Sequence, residues 1–327
     1  MSKPRILVTG GAGFIGSALI WALNQQGRED ILVSDFLGQD EKWKNLVPLK
    51  FADYLEADDL IEILADDLLS GIDLVLHLGA CSATTERDSR YLVHNNFEYT
   101  KALAAWSLEN NARFVYASSA ATYGDGAQGM DDRLEDLHQL RPLNMYGYSK
   151  HLFDCFAKRE GWLDQIVGLK YFNVFGPNED HKDDMRSVVH KAYGQIRQTG
   201  RVSLFKSYHA DYPDGGQKRD FLYVKDAVEM TLHLAKTKDA NGLFNLGSGS
   251  ANTWISLVTP IFEALNLPVE IDFIEMPEQL RGKYQYFTQA DTGKLQESGF
   301  AGCQFELSAA VNDYVTNYLV PSKHLGD

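Results

Sequence analysis

The stretch Arg5-Ile-Leu-Val-Thr9 and the run that follows it, Gly10-Gly-Ala-Gly-Phe-Ile-Gly16, decide the fold of this 327-residue chain. The first stretch predicts a short β-strand, and the apolar spacing over residues 14–26 predicts an amphipathic helix that ends before Gly27. Between the two, the glycines permit a tight turn and let the backbone approach a pyrophosphate at the positive end of the helix. The run can be read as GxxGxxG or as GxGxxG, and both readings predict a dinucleotide site.

An acidic residue at the end of the second predicted strand supports this interpretation. The run Asp30-Ile-Leu-Val-Ser-Asp35 is β-rich, and its last residue follows the glycines by about 20 residues, the spacing of a carboxylate that binds the ribose. Asp35 alone favours NAD, because a carboxylate repels the 2′-phosphate of NADP. Lys42 and Lys44 follow in the adjacent loop and could offset that repulsion, so the residues leave both cofactors open. Asp53, expected at the end of the third strand, is a candidate contact to adenine or a strand-end cap.

Helical and β-rich segments alternate along the first half of the chain. Residues 57–69 and 99–110 have helical spacing, whereas residues 73–78 and 113–117 are β-rich. The alternation predicts an α/β fold with a Rossmann-type, doubly wound parallel sheet. Past residue 175 the pattern loosens, which predicts a smaller α/β substrate-binding domain. The expected division assigns residues 1–172 and about 220–250 to the dinucleotide-binding domain, and about 173–219 and 251–327 to the substrate-binding domain.

The composition excludes several classes of function. The chain has 45 acidic and 31 basic residues and a net charge of −14, so it is a poor candidate for binding nucleic acid or an anionic membrane. Its cysteines, Cys81, Cys155 and Cys303, are odd in number and widely spaced. We therefore predict no disulfide framework, no metal site and a reducing, cytoplasmic location. We expect neither a secretory leader nor a membrane span, because no apolar run approaches about 20 residues.

The sequence Tyr146-Gly-Tyr-Ser-Lys150 carries the strongest sign of catalysis. On a helix it places Tyr146 and Lys150 on one face. A free tyrosine has a pKa of about 10, and a nearby ammonium together with the positive nicotinamide ring would favour its phenolate. Tyr148 is a rival in the same segment but lacks a lysine four residues later. Ser118 and Ser119, expected just after a strand, would lie at the carboxyl edge of the sheet, where such folds bind ligands. Ser119 is the preferred hydrogen-bond partner of the reacting oxygen, and Ser118 is the second candidate.

Together these motifs resemble the extended short-chain dehydrogenase/reductase superfamily. Beyond the glycine run, Asp35 and the YxxxK segment, the resemblance rests on His77-Leu-Gly-Ala80, Ser118-Ser-Ala-Ala-Thr-Tyr-Gly124, Tyr171-Phe-Asn-Val-Phe-Gly-Pro177 and Arg219-Asp-Phe-Leu-Tyr-Val-Lys-Asp226. Within that superfamily, the chain is similar to the ADP-heptose 6-epimerase family over residues 79–86, 142–150, 176–182 and 281–291. The matching segments extend over residues 6–291, nearly the whole chain.

The resemblance implies an isomerase that inverts C6 of an ADP-heptose by transient oxidation to a ketone with a tightly bound nicotinamide cofactor, NADP or alternatively NAD. It further implies a bacterial, cytoplasmic homo-oligomer, a homopentamer in the family, that supplies the heptose precursor of the lipopolysaccharide core. Tyr146 and Lys182 would be the two acid/base residues, with Ser119 in support. Lys150 would bind the nicotinamide ribose and tune Tyr146.

The resemblance also implies two sets of binding residues. Those for the cofactor are Gly10, Gly13, Phe14, Ile15, Gly16, Asp35, Phe36, Lys42, Leu78, Gly79, Ala80, Cys81, Ser82, Asn95, Lys150, Val174 and Lys182. Those for the substrate are Asn173, Asp184, Lys191, Phe205, Lys206, Ser207, Tyr208, Arg219 and Tyr284. Because the substrate diphosphate is an anion, Arg219, Lys206, Arg281 and Lys283 are candidates for a local positive patch.

The chain departs from the family pattern at three places. Phe36 stands where the family more often has a polar residue, which makes cofactor discrimination less certain. Asp183 and Asp184 follow Lys182 where smaller, less charged residues are common, and they could pair with Lys182 and raise its pKa, or perturb substrate contact. The polar loop of residues 208–217 is longer than expected.

Two other functions stay open at this point. One is another nucleotide-sugar enzyme of the same fold, a 4-epimerase or a 4,6-dehydratase. Dehydratases of this type usually carry an Asp-Glu pair just after the strand serine, where this chain has Ala120 and Ala121. The other is a non-catalytic nucleotide sensor, but sensors tend to lose the Tyr/Lys pair that this chain keeps.

Overall fold

The computed structural model describes residues 5–66, 69–281 and 284–327. Its strands are β1 (Ile6–Thr9), β2 (Ile31–Asp35), β3 (Asp53–Glu56), β4 (Leu74–His77), β5 (Arg113–Ser119), β6 (Val167–Tyr171), β7 (Asn173–Phe175), β8 (Val202–Phe205), β9 (Lys218–Tyr223), β10 (Gly242–Leu246), β11 (Ala251–Thr253) and β12 (Ile271–Ile274). Its α-helices are α1 (Phe14–Gln25), α2 (Ala57–Ala65), α3 (Ser89–Leu92), α4 (Tyr99–Glu109), α5 (Met145–Arg159), α6 (Val188–Thr199), α7 (Val224–Lys236), α8 (Trp254–Ala264), α9 (Glu278–Arg281), α10 (Gly293–Glu297) and α11 (Leu307–Tyr314).

Seven strands form one parallel sheet in the order β10-β6-β5-β4-β1-β2-β3. From β1 the chain adds β2 and β3 on one side, and from β4 it adds β5 and β6 on the other, so the strand order reverses between β1 and β4. Open α/β sheets bind ligands in the crevice outside the carboxyl ends of the two strands at this reversal. Helices cover both faces, so strands such as β1 are buried along their whole length. The predicted Rossmann-type α/β fold is confirmed.

The turn between β1 and α1 requires glycine at two positions. Gly10 has a φ of +65°, and a Cβ on it would lie 2.6 Å from the backbone nitrogen of Gly79. A Cβ on Gly16 would collide with the carbonyl oxygen of Gly10. The glycines therefore let this turn pack backbone to backbone against the segment that follows β4.

Two hydrophobic cores cover the two faces of the main sheet. One core contains Leu103, Phe114 and Phe153 and packs under α2, α4 and α5. The other joins α1 to α7 on the opposite face and continues through Phe175 and Leu222 into α6, α8 and α11. The second core thus ties the main sheet to the smaller part of the molecule.

The smaller part contains a sheet in the order β11-β9-β7 and the pair β12-β8. Strand β10 returns to the main sheet, and Lys294 of α10 donates a 2.7 Å hydrogen bond to the carbonyl of Leu243 in that strand. The chain therefore crosses between the two parts more than once. Their division into a dinucleotide-binding and a substrate-binding domain stays a proposal.

Two predicted strand ends are wrong. Strand β5 continues through Ser118 and Ser119, which pair in register with Lys170 and Tyr171 of β6, so the serines are the last strand residues rather than the turn after it. Strand β3 begins at Asp53, which stands in register with Leu32 near the start of β2. Asp53 is thus at the opposite end of its strand from the ligand crevice.

The helix expected over residues 99–110 is confirmed as α4, and it continues a helical segment that begins ten residues earlier, at Ser89. Asp88 caps it by accepting a 3.0 Å hydrogen bond from the backbone nitrogen of Tyr91. A π-helical segment, Val93–Glu98, then joins α3 to α4. In the described ranges, we find no helix with the length and apolar character that a bilayer span requires.

Candidate active site

The carboxylate of Asp35 is fixed against the glycine turn. Its Oδ2 accepts hydrogen bonds from the backbone nitrogens of Ala12 at 2.9 Å and Gly13 at 3.2 Å. Its Oδ1 accepts from the backbone nitrogen of Phe36 at 2.7 Å and from the ammonium of Lys42 at 3.0 Å. The ion pair with Lys42 offsets the negative charge of Asp35 at the carboxyl end of β2. Lys44, by contrast, pairs with Glu41 at 2.7 Å.

The segment after β4, residues 78–82, forms the facing wall of this crevice. Asn96 holds it in place: its Oδ1 accepts from the backbone nitrogen of Cys81 at 2.9 Å, and its Nδ2 donates to the carbonyl of Cys81 at 2.9 Å. The same amide donates to the hydroxyl of Ser149 in α5 at 2.9 Å. Asn96 is fully buried in the π-helical segment, a feature often found at functional sites. Sequence reasoning missed Asn96 and named its neighbour Asn95.

Lys150 is a buried cation without a fixed partner. Its side chain is on α5 and the residue is only 4% exposed. In the described part of the chain, its ammonium makes no ion pair or hydrogen bond. Burial lowers the pKa of Lys150 to about 8, although the charge of Asp154 acts in the opposite direction. An ammonium at this edge that pairs with no protein group fits the ribose hydroxyls of a nicotinamide nucleotide. The residues present therefore fit the cofactor that the glycine turn predicts.

Tyr146 and Ser119 lie next to each other where α5 begins and β5 ends. Burial raises the pKa of Tyr146, and the neighbouring Ser119 side chain opposes part of that rise. In the chain alone the pKa of Tyr146 is therefore raised, and the expected preference for phenolate, which includes the positive nicotinamide ring, stays a prediction. Tyr148, the rival, is 47% exposed and points to solvent.

Ser118 belongs to a buried polar network instead. Its hydroxyl donates to Asp154 Oδ2 at 2.7 Å, and the hydroxyl of Tyr116 donates to Oδ1 of the same carboxylate at 2.8 Å. The ammonium of Lys170 completes the group, 3.0 Å from Asp154 and 2.6 Å from the hydroxyl of Thr122. The network occupies Ser118, so of the two serines Ser119 is the one free to face a substrate.

Lys182 lies in the 3₁₀ segment Asp180–Met185, and its ammonium is 5.1 Å from the centre of the Phe14 ring at the start of α1. The residue is half-buried, not a solvated surface lysine. Burial lowers the pKa of Lys182, and the charge of Glu179 opposes that change. Of the two alternatives left open for Asp183 and Asp184, an ion pair with Lys182 is not formed: Asp183 pairs with Arg186 at 3.3 Å, and the pKa of Lys182 is lowered rather than raised.

Arg219 is the best candidate for binding an anion. The residue is 7% exposed, and its guanidinium lies 5.7 Å from the ring of Trp254 and 5.2 Å from that of Tyr284. Trp254 Nε1 donates a 2.9 Å hydrogen bond to the Tyr284 hydroxyl, which fixes the two rings relative to each other. Arg219 has no carboxylate partner among the described residues, and its one hydrogen bond goes to the adjacent carbonyl of Lys218. Its charge is therefore available to a ligand.

The rest of the expected positive patch is partly neutralised. Lys206 and Arg281 both pair with Glu275, at 2.7 Å and 3.7 Å, and the Tyr208 hydroxyl donates to the same carboxylate. Arg281 also stacks 3.9 Å from the centre of the Tyr208 ring. Lys283 lies outside the described residues.

The remaining expected residues differ in exposure. Val174 and Phe205 are half-buried, whereas Asn173, Phe36 and Asp184 are exposed. Lys191 on α6 donates to the carbonyl of Asp184 at 2.5 Å, and Asn95 donates to the carbonyl of Tyr91 at 3.1 Å. The Ser207 backbone nitrogen donates to Asp214 at 2.7 Å, which folds the long loop back on itself.

The chain belongs to the NAD dependent epimerase/dehydratase family, whose sequence pattern matches residues 6–247. It is 54% identical over 314 residues to the ADP-L-glycero-D-manno-heptose-6-epimerase of Nitratidesulfovibrio vulgaris, an alignment that covers 96% of this chain and 97% of that relative. It is 44% identical over 324 residues to the enzyme of the same name from Fusobacterium nucleatum, covering 96% of this chain and 98% of that relative. The crystal structure of the Helicobacter pylori ADP-L-glycero-D-manno-heptose-6-epimerase superposes with a TM-score of 0.79 at 26% identity and covers 96% of both chains. The predicted class, a nicotinamide-dependent nucleotide-sugar epimerase, is confirmed.

Proposed function

We propose that this protein converts ADP-D-glycero-D-manno-heptose to ADP-L-glycero-D-manno-heptose by inverting C6. The observation that carries the proposal is the similarity, at 44–54% identity and over 96% of the chain, to enzymes named for this epimer. Supplying the heptose precursor of the lipopolysaccharide core is the corresponding role in the cell.

Tyr146 and Lys182 serve as the two acid/base residues of the reaction. Inversion at a carbinol carbon that has no acidifying neighbour is difficult by direct proton removal, and the bound nicotinamide supplies reversible hydride acceptance there. One residue takes the hydroxyl proton in one orientation of the sugar, and the other returns a proton in the opposite orientation. Ser119 hydrogen-bonds the reacting oxygen, while Lys150 holds the nicotinamide ribose.

Arg219 binds the diphosphate of the substrate. A buried guanidinium without a carboxylate partner is costly unless a ligand supplies the missing charge, and Arg presents paired donors that match phosphate oxygens. Tyr284 and the segment of residues 205–208 form the wall beside it. Asn173, Asp184 and Lys191 complete the substrate side of the site.

We also propose NADP as the cofactor. The Lys42–Asp35 ion pair at 3.0 Å supports this choice, because it removes the repulsion that would exclude a 2′-phosphate. The protein is further proposed to work in the cytoplasm as a homo-oligomer, a homopentamer by resemblance to its family. Its three cysteines are unpaired in the structure, in keeping with a reducing compartment.

Turnover in D₂O tests the function and its chemistry together. If the hydrogen on C6 leaves and returns through the cofactor, purified protein given ADP-D-glycero-D-manno-heptose and no added nicotinamide will form the epimer without deuterium at C6. A 4,6-dehydratase or an enzyme that deprotonates next to a carbonyl would introduce solvent deuterium. Product NMR and mass spectrometry distinguish the two, and stoichiometric deuterium at C6 would overturn the proposal.

A further inference from the structure

Glu179 is a fully buried carboxylate that collects donors from three separate parts of the chain. Its Oε1 accepts from the backbone nitrogen of Gly176 at 3.4 Å, the hydroxyl of Ser187 at 2.6 Å and the hydroxyl of Tyr314 at 3.1 Å. Its Oε2 accepts from the backbone nitrogen of Ser187 at 2.5 Å. The residue has 0% exposure. Backbone N–H groups donate to both carboxylate oxygens, so both oxygens of Glu179 act as hydrogen-bond acceptors.

These hydrogen bonds close the loop that carries Lys182. Gly176 precedes this loop, and Ser187 follows it as the N-cap of α6, so Glu179 fastens both ends to one side chain. The backbone nitrogen of Lys182 donates to the carbonyl of Glu179 at 3.1 Å. Tyr314, on α11, anchors the closed loop to the second hydrophobic core. The position of the Lys182 ammonium over Phe14 therefore depends on Glu179.

Glu179 is also the anion that acts on Lys182. Among the described residues Glu179 makes no ion pair, and its charge raises the pKa of Lys182 against the effect of burial. Within the loop, Asp180 pairs with His190 at 2.9 Å and Asp183 pairs with Arg186, whereas the carboxylate of Asp184 is exposed. His181 has its pKa lowered by burial, so it carries little positive charge at neutral pH.

We propose that Glu179 is the positioning residue for Lys182: its hydrogen bonds to Gly176, Ser187 and Tyr314 fix the loop that places the ammonium beside the cofactor. The catalytic consequence rests on the proposed function, in which Lys182 exchanges protons with the sugar. The residue itself does not touch the substrate or cofactor.

The test is an NMR titration of Lys182 with a parallel measurement of turnover. In full-length protein labelled with ¹³C at lysine Cε, the signal of Lys182 is identified as the one missing from Lys182→Met. In Glu179→Gln we expect the titration midpoint of that signal to fall by about 1 pH unit, because the substitution removes a negative charge that acts on Lys182. We expect kcat to fall by about 10²-fold, with KM nearly unchanged. Asp183→Asn is the matched control, because it removes an exposed carboxylate next to Lys182. In this variant the titration midpoint of Lys182 and kcat should both stay close to their wild-type values.

Tyr314→Phe keeps the test valid if Glu179→Gln does not fold, since it removes one donor and leaves the carboxylate in place. We expect a severalfold loss of kcat and a changed chemical shift of the Lys182 signal, with little change in its midpoint. A midpoint and chemical shift of Lys182 that are identical to wild type in every folded variant at Glu179 and Tyr314 would overturn the inference. If Lys182→Met instead epimerises normally, the acid/base role of Lys182 fails, while the titration still decides whether Glu179 controls that lysine.

Discussion

The hydroxyl of Ser118 donates a 2.7 Å hydrogen bond to the carboxylate of Asp154, two turns along α5 from Tyr146. Ser119, its neighbour on β5, makes no such bond and lies beside Tyr146. Two adjacent serines therefore have separable roles, one in the buried network and one in the site.

Replacing each serine with alanine should separate catalysis from stability. Ser119→Ala should lower kcat by about 10²-fold, the usual cost of losing one donor to a reacting oxygen, with little effect on unfolding. Ser118→Ala should destabilise the protein by about 1–3 kcal/mol, because it leaves a buried carboxylate short of a partner, while the folded enzyme stays active within a few-fold. Steady-state kinetics and urea denaturation of both variants check this. The reverse pattern would assign the catalytic role to Ser118.

Tyr146→Phe should reduce epimerisation by about 10²–10⁴-fold, the typical contribution of a positioned acid/base. Only one hydroxyl is removed, so the fold and the bound nicotinamide should be retained. Tyr148→Phe, two residues further along the same helix, is the matched control. Because its ring is exposed, the epimerisation activity of this variant should stay within about 2-fold of wild type. Activity of Tyr146→Phe near wild type would transfer the role to another residue. Turnover with ADP-heptose and the absorbance of the released cofactor are the measurements.

Lys150→Met should stabilise the cofactor-free protein while abolishing activity. The pKa of Lys150 is about 8 in the folded chain and 10.5 for an ordinary lysine, so the folded state binds fewer protons between these values. Stability should therefore rise with pH from about 8 to about 10.5, and below pH 8 the buried charge costs about 3 kcal/mol. Lys150→Met removes this cost and the pH dependence, whereas Lys158→Met, on the exposed face of α5, should change stability by less than about 0.5 kcal/mol. Denaturant unfolding of the stripped proteins at pH 7 and pH 10 tests both statements. Equal destabilisation by the two substitutions would contradict them.

Lys42→Ala should weaken NADP binding by about 10-fold, equivalent to about 1.4 kcal/mol, and should leave NAD binding nearly unchanged. The reason is that Asp35 loses the ammonium that offsets its charge where the 2′-phosphate would lie. Lys44→Ala is the control, because that lysine pairs with Glu41 at the surface. Calorimetric titration of stripped protein with each nucleotide is the measurement. An equal loss for NAD and NADP would show that Lys42 contributes no discrimination.

The parts that sequence could predict are those fixed by short-range chemistry. The glycine turn, the strand ending in Asp35 and the pair Tyr146/Lys150 each depend on a few consecutive residues with fixed backbone geometry. The parallel sheet followed from the alternation of segments. Lys182 became a candidate site residue only through the family resemblance, because a lysine in an acidic stretch is by itself expected at the surface.

The residues that sequence missed depend on contacts between distant segments. Glu179 stands in a stretch of charged residues, yet it is fully buried and accepts a hydrogen bond from Tyr314, 135 positions away. Asn96 is one polar residue in a run of polar residues until the fold brings Cys81 and Ser149 to its amide. For Glu179 one signal was present in the sequence, because the residue lies within the segment 176–182 that carries the family resemblance. That signal marks importance but not burial.

The π-helical segment Val93–Glu98 limits how the gene can change length here. Its wider turn contains one more residue than an α-helix would need, so deleting a single codon there would restore regular helix, keep the flanking turns in phase and remove the wide turn that carries Asn96. Asn96 would then point away from the wall at Cys81, although no catalytic residue had been touched. The number of residues between Ser89 and Glu109 is therefore tied to the position of the Asn96 amide.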